Sequence, residues 1–183
     1  LGARYGEEDR FLTASDVFLS PGNGAPDQIV TSYPLEEDSR SNTTTRAVAS
    51  FFPSENSMIY LSRSEGYKSS TYNIVNLTDS PELVLPEEVT SYEIGLKSDF
   101  FDGLLRLNAA VFYNEIVNKQ SSIVAVLGGG VIQFTNAEDT EIKGVEFDLV
   151  TSPLPNWNPG FTITANAAYL EGEYKKFTNG DGF

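Results

Sequence analysis

The ten residues LRLNAAVFYN, Leu105 to Asn114, alternate strictly. Leu105, Leu107, Ala109, Val111 and Tyr113 fall on one side of an extended chain, and Arg106, Asn108, Ala110, Phe112 and Asn114 on the other. One face is apolar throughout. Successive side chains of a strand point oppositely, so this period marks a strand whose two faces meet different surroundings. The pattern recurs in GFTITANAAYLEG, where Phe161, Ile163, Ala165, Ala167 and Tyr169 oppose Thr162, Thr164, Asn166, Ala168 and Leu170. VTSYEIGLKS sets Tyr92, Ile94 and Leu96 against Ser91, Glu93, Gly95 and Lys97, and IKGVEFDLV sets Val145, Phe147 and Leu149 against Gly144, Glu146 and Asp148. TRAVASFF and SMIYLSRS have apolar groups on both faces, so pattern does not choose their inward side. With Gly and Pro punctuating these runs, the chain reads as all-β.

The connections alternate in length. Short turns fall at Phe52 to Ser57, Ser98 to Gly103 and Ser152 to Gly160. Between them lie long segments, roughly Arg10 to Thr45, Glu65 to Glu88 and a hairpin tip around VLGGGV. Strands running up and down in order place all short turns at one end and all long loops at the other, the arrangement of an outer-membrane barrel with short periplasmic turns and long extracellular loops. The short turns also carry rings: Phe51 and Phe52, Phe100 and Phe101, and Trp157. Water penalises such turns, whereas a membrane interface accommodates an apolar ring beside a wet boundary. The expectation is an antiparallel, up-and-down transmembrane β-barrel segment of about seven long strands, an incomplete barrel.

Composition narrows the function. The chain has no Cys and no His, which removes disulfides, thiolate and imidazole metal sites and the usual catalytic triads. With 12 Lys and Arg against 26 Asp and Glu, the net charge of −14 argues against nucleic acid as a partner. No apolar run is long enough for a transmembrane helix, which leaves transmembrane strands open. The only methionine is Met58, and the sequence opens at Leu1 inside an alternating segment and stops in the turn-like TNGDGF, so the chain reads as a piece of something larger.

The residues also carry a resemblance. PEEVTSYEIGLKSDFFDGLLRLNAAVFYNEI, Pro86 to Ile116, resembles the signature stretch of TonB-dependent outer-membrane receptors. MIYLSRSEGYKSSTYN, NAEDTEIKGVEFDL, FTITANAAYLEGEYKKF and LGARYGEED are similar to further strands of that family, in family order. Ser70 and Thr71 stand where the family commonly has glycines. The resemblance implies that residues 1–183 are part of the β-barrel domain of an active importer of the Gram-negative outer membrane, with the plug domain and its TonB box outside this chain. It further implies outer-membrane lipid, the TonB complex and a ferric siderophore or similar iron complex as partners, with no cofactor and no enzymatic activity. The competing expectation is a self-contained small outer-membrane barrel of about eight strands acting as a passive pore, adhesin or structural protein. A soluble β-sandwich does not account for the phenylalanine turns.

Within this frame, Tyr33, Arg63, Tyr67, Lys68 and Tyr72 are candidate ligand contacts, as rings to stack on a ligand or cations to draw an anionic complex. Glu93, Lys97, Arg106, Glu146 and Asp148 are candidates to face the plug or a hydrated lumen, because charge on a lipid face is costly. Phe51, Phe52, Phe100, Phe101 and Trp157 are the expected membrane-interface aromatics. Acidic clusters at Glu7 to Asp9, Glu36 to Asp38 and Glu138 with Asp139 lack the spacing of a calcium loop and read as solvated.

Overall fold

A strand that crosses a bilayer must pair on both sides, because lipid offers its backbone no other partner. The alternating segments do this, save the last, which pairs on one side only. The structure, a computed structural model, describes residues 1–12, 15–19, 28–33, 36–73, 82–125, 131–137 and 139–175. Thirteen strands follow one another among these residues: β1 (Gly2–Leu12), β2 (Ser15–Leu19), β3 (Gln28–Tyr33), β4 (Glu36–Ser54), β5 (Ser57–Lys68), β6 (Thr71–Asn73), β7 (Glu82–Val84), β8 (Glu87–Phe100), β9 (Leu105–Val117), β10 (Gln120–Ala125), β11 (Val131–Asn136), β12 (Thr140–Thr151) and β13 (Ile163–Tyr174). Seven of them form one antiparallel sheet in the order β1-β4-β5-β8-β9-β12-β13. The pairs β2-β3, β6-β7 and β10-β11 are separate small hairpins set into the long connections.

Cross-strand pairing sorts the faces. Leu61, Ile94, Val111, Val145 and Tyr169 stand opposite one another across five strands, and Ile59, Leu96, Ala109, Phe147 and Ala167 form the next rung. These side chains have no core to enter: Ile94, Val111 and Val145 are 51, 52 and 48 % exposed. A continuous apolar face left open in this way suits lipid. The opposite face carries Met58, Lys97, Asn108, Asp148 and Asn166 on one rung and Tyr60, Gly95, Ala110, Glu146 and Ala168 on the next. Pairing also settles the two ambiguous strands. Ala47, Ala49, Phe51, Ile59 and Leu61 share the apolar face, and Val48, Ser50, Met58 and Tyr60 the polar one.

The apolar band has two edges. At the long-loop end a rung of Arg63, Tyr92, Tyr113, Lys143 and Glu171 succeeds it, with the Tyr92 and Tyr113 rings 6.5 Å apart. Above that rung come Glu65, Thr90, Glu115, Glu141 and Glu173, so ring gives way to charge within two rungs. At the short-turn end Phe51, Phe52, Phe100, Phe101 and Trp157 are all exposed. The β8-β9 turn holds Phe101 at φ 54°, Asp102 at 55° and Gly103 at 85°, closed by Gly103 N–H donating to the Phe100 carbonyl at 3.2 Å. Left-handed backbone at a bulky residue is unfavourable in itself, and here it turns the Phe101 ring outward.

Two expectations need correction. The segment Arg10 to Thr45 is not one irregular loop: all eleven residues of β1 pair with β4, which begins at Glu36, and β2-β3 occupies part of what remains. Likewise β5 continues to Lys68 and β8 starts at Glu87, so the second long loop is shorter than its polarity suggests. Residues 126–130 of the glycine-rich tip, Glu138 and the Tyr33 side chain lie outside the described residues.

Candidate functional site

The long-loop end of the sheet gathers chemistry that the apolar band lacks. Backbone pairing between β4 and β5 stops at Arg46 and Ser64. Where the next pair would form, Glu65 substitutes its side chain: its Oε2 accepts from the Thr45 amide at 2.8 Å and from Thr45 Oγ1 at 2.6 Å. Arg63 completes the corner, with Nη2 2.7 Å from Glu65 Oε1 and Nη1 donating to Thr45 Oγ1 at 3.3 Å. The Thr45 hydroxyl and amide, followed by Arg63, hold the Glu65 carboxyl below the usual range.

Above this corner the strands diverge and a cavity of about 410 Å³ opens, lined by Arg4, Glu8, Arg40, Asn42, Thr44 and Tyr67 among others. Polar side chains close its top. Ser69 Oγ donates to Glu8, and Ser70, with no exposed surface, donates to Asp38 Oδ2 at 2.6 Å. Arg40 Nε donates to both Asp38 oxygens, at 2.9 and 2.8 Å. That contact, reinforced by Ser70, depresses the Asp38 carboxyl against the opposing effect of desolvation. Burial, and then the Glu8 carboxylate, pushes the Tyr67 hydroxyl up. Ser70 thus ties the β5-β8 connection to β4 through its hydroxyl. A second hollow of about 530 Å³ lies beside the same segment, bounded by Arg10, Tyr67, Lys68, Gln120 and Phe134 among others.

The sequence candidates divide accordingly. Tyr67 and Lys68 line this rim at the end of β5, and Tyr72, in β6, stands with Tyr67 near Arg40. Arg63 does not join them: it sits on the apolar-face side of β5, bound to Glu65 and Thr45 and donating to the Tyr92 hydroxyl at 3.4 Å. Glu93, Lys97, Arg106, Glu146 and Asp148 all lie on the polar face. Tyr60 organises four of them. Its ring lies flat over Gly95, where any Cβ would collide with it, and its hydroxyl donates to Glu93 Oε1 at 2.6 Å. Lys97 Nζ is 5.8 Å from the ring centroid, and Glu146 and Asp148 line a hollow with Tyr60. Arg106 stands apart near the short turns, 2.8 Å from Asp99.

Sequence reasoning passed over Tyr60 and Arg40, and it read the cluster at Glu36 to Asp38 as solvated, whereas the Asp38 side chain is largely buried and held by Arg40 and Ser70. Only Gly95, a glycine inside a strand, signalled that a neighbouring ring needs the space. No group of three or more Asp or Glu among the described residues is placed to hold a metal ion.

Comparison with known proteins agrees with this architecture. The family model for the TonB dependent receptor-like β-barrel matches residues 1–183. The chain is 31 % identical over 144 residues to the probable TonB-dependent siderophore receptor PiuA of Acinetobacter baumannii, covering 73 % of this chain and 17 % of that protein. It is 29 % identical over 149 residues to the ferric-pyoverdine 358 receptor of Pseudomonas putida, covering 68 % and 18 %. The chain therefore spans under a fifth of the length of these relatives. Among solved structures, the ferric yersiniabactin uptake receptor FyuA of Yersinia pestis superposes with a TM-score of 0.62 at 21 % identity, over 77 % of this chain and 20 % of that one. The copper transporter OprC gives 0.65 at 16 %, over 94 % and 26 %. At these identities the two structures speak for the fold alone. The open seven-stranded sheet, its single apolar face and its sorted connections are those of a barrel wall, and the chain belongs to the TonB-dependent receptor β-barrel family, a family of transporters in the Gram-negative outer membrane.

Proposed function

We infer that this chain forms part of the barrel wall of a receptor that imports a scarce ligand, a ferric siderophore or a similar iron complex, energised through TonB. What supports the reading is the family model's match to residues 1–183 of this chain, together with relatives named as siderophore and ferric-pyoverdine receptors. The geometry supports a division of labour. The apolar face meets lipid. The polar face, with Glu93, Lys97, Glu146 and Asp148 around Tyr60, meets a plug domain or lumen water. The rim, with Tyr67, Lys68 and Tyr72, meets ligand. Arg63 belongs with the membrane boundary in this scheme.

A self-contained passive barrel is the weaker reading, because β1 and β13 each have a single neighbour and the sheet is open at both edges. The test is uptake of radioactive iron complexed to hydroxamate, catecholate and mixed-ligand siderophores by cells carrying the full-length gene, with and without functional TonB. Uptake of one complex that disappears with TonB supports the import reading. Permeation that persists without TonB replaces it with a pore.

A further inference from the structure

Three chain segments far apart in sequence meet beside Ser69 and Ser70, and two side-chain amides join them. Gln120, the first residue of β10, donates Nε2 to the Ser69 carbonyl at 2.8 Å and to the Leu85 carbonyl at 2.9 Å. Its own backbone N–H donates to Glu87 Oε2 at 2.8 Å. Asn136, the last residue of β11, treats Leu85 as a strand partner would: Oδ1 accepts from Leu85 N at 2.7 Å, and Nδ2 donates to Leu85 O at 2.9 Å. The same Nδ2 donates to the Asn118 carbonyl at 2.9 Å, and Ala137 N–H to the Lys119 carbonyl at 2.7 Å. Ser69 and Ser70 extend the network to Glu8 and Asp38.

Together these contacts link three connections. Gln120 and Asn136 belong to the β9-β12 connection, Ser69, Ser70 and Leu85 to the β5-β8 connection, and Glu8 and Asp38 to the strands that flank the β2-β3 hairpin. Leu85 and Ser69 lie outside any strand, so these backbone groups rely on side chains for the hydrogen bonds a ladder would otherwise supply. An amide is suited to that role, since it alone among side chains presents a donor and an acceptor with the spacing of a peptide group.

We propose that Gln120 and Asn136 are positioning residues: they clasp the bases of the β5-β8 and β9-β12 connections together, Ser69 and Ser70 tie that unit to the strands flanking β2-β3, and the whole fixes Tyr67, Lys68 and Tyr72 at the mouth without touching ligand. The ligand part of this statement rests on the import reading above; the mechanical part does not. The clasp makes the rim respond as a whole when any one loop is engaged.

Hydrogen–deuterium exchange on the full-length protein in outer-membrane vesicles tests the clasp directly. Asn136→Ala and Gln120→Ala are expected to speed exchange about tenfold in residues 66–73 and 83–87, and also in 36–42, which neither residue touches, while 105–113 stays unchanged. Should a variant fail to insert, Asn136→Asp keeps the acceptor for Leu85 N and loses both donors, and is expected to show the same spread at reduced size. Exchange confined to the mutated hairpin, or raised equally in 105–113, overturns the clasp. Uptake of whichever radioactive iron complex the wild type transports is expected to show a raised KM with unchanged maximal rate; an unchanged KM overturns the positioning role. If the wild type transports no iron complex, the import reading fails while the exchange result still decides the clasp.

Discussion

Between the short turns and the tyrosine rung, neighbouring strands pair residue against residue, whereas beyond Arg46 and Ser64 β4 and β5 part company and side chains take over. At the waist Gly95, Ala110 and Glu146 face each other on successive strands, each backbone group meeting a backbone partner. At the rim Glu65 stands in for a strand, Asn136 for another, and Ser70 for a third contact. The solvent accounts for the difference. Lipid supplies no hydrogen bonds, so a gap in the ladder costs several kcal/mol there, of order 2–7 per unpaired group. Water and polar side chains make the same gap tolerable at the rim, and the tolerance allows the strands to fork and form cavities.

The largest expected effect comes from breaking the close approach of strands at the waist. A Cβ at Gly144 would lie 2.6 Å from the Tyr169 carbonyl oxygen and 2.7 Å from Phe112 Cζ, and the first of these is backbone that cannot rotate away. Gly144→Val should cost about 1–3 kcal/mol or more and lower the amount of folded barrel in the outer membrane. The matched change at the rim is Gly66→Val, whose Cβ would meet only Val89 Cβ, at 3.8 Å. It should leave that amount unchanged. Heat-modifiable migration of extracted membranes compares the two directly, and equal losses would mean that the rim is as tightly laddered as the waist.

A charge in the lipid band comes next. Ala109 sits between Leu96 and Phe147 in the middle of the apolar face. Ala109→Arg should destabilise the barrel by about 2–4 kcal/mol, measured by denaturant unfolding in vesicles. One position to either side on the same strand, Asn108 and Ala110 face the other way, and Asn108→Arg, directed to the polar side, should cost far less. Equal costs would dismantle the assignment of faces.

These first two contrasts rest on features that the sequence displayed. Ile94, Val111 and Val145 announce their face because lipid on one side and water on the other write a period of two into the chain. The strands at 46–52 and 57–64 stayed ambiguous because Val48 and Met58 are apolar yet sit on the polar face; register with β8 decided them, and register is a property of pairs. The rim was nearly illegible. EEDSRSNTTT, residues 36–45, is polar on both faces because both faces meet water, so an eleven-residue ladder with β1 left no period in hydropathy. Asn136 and Gln120 look like any loop amides until the backbone of Leu85 is seen between them.

Acid should separate the two regions by a smaller margin. Arg40 and Ser70 hold the Asp38 carboxyl below its ordinary 3.8, and Thr45 and Arg63 hold Glu65 below 4.5. A carboxyl whose value is lowered by folding lends its full stabilisation above the ordinary value and loses it as pH falls through the lowered one. The rim should therefore stay closed from neutrality to about pH 4 and loosen below it, while the waist, which depends on ladder pairing, should not change. Exchange of residues 36–45 and 66–73, corrected for the intrinsic acid dependence and compared with 105–113, reads this out. Asp38→Asn should abolish most of the pH response, and an undiminished response would locate it elsewhere.

The smallest effect is expected where two terms nearly cancel, at the β8-β9 turn. Phe101 holds φ 54° with its ring 74 % exposed. Left-handed backbone costs a bulky residue about 1–2 kcal/mol, which Phe101→Gly would recover, less the roughly 0.5–1 kcal/mol of extra unfolded-state entropy that glycine brings. In detergent, where the ring has no ordered headgroup layer to enter, the variant should be as stable as the wild type or slightly more so. In a bilayer the lost ring burial should reverse the sign. Thermal unfolding of the full-length protein in both media measures that reversal. If glycine stabilises in both, the ring is not an interface anchor, and the strained turn has no compensation from the membrane. If it destabilises in the bilayer alone, the strain is held in place by the lipid boundary, and a residue poor for the turn is retained for what lies outside the protein.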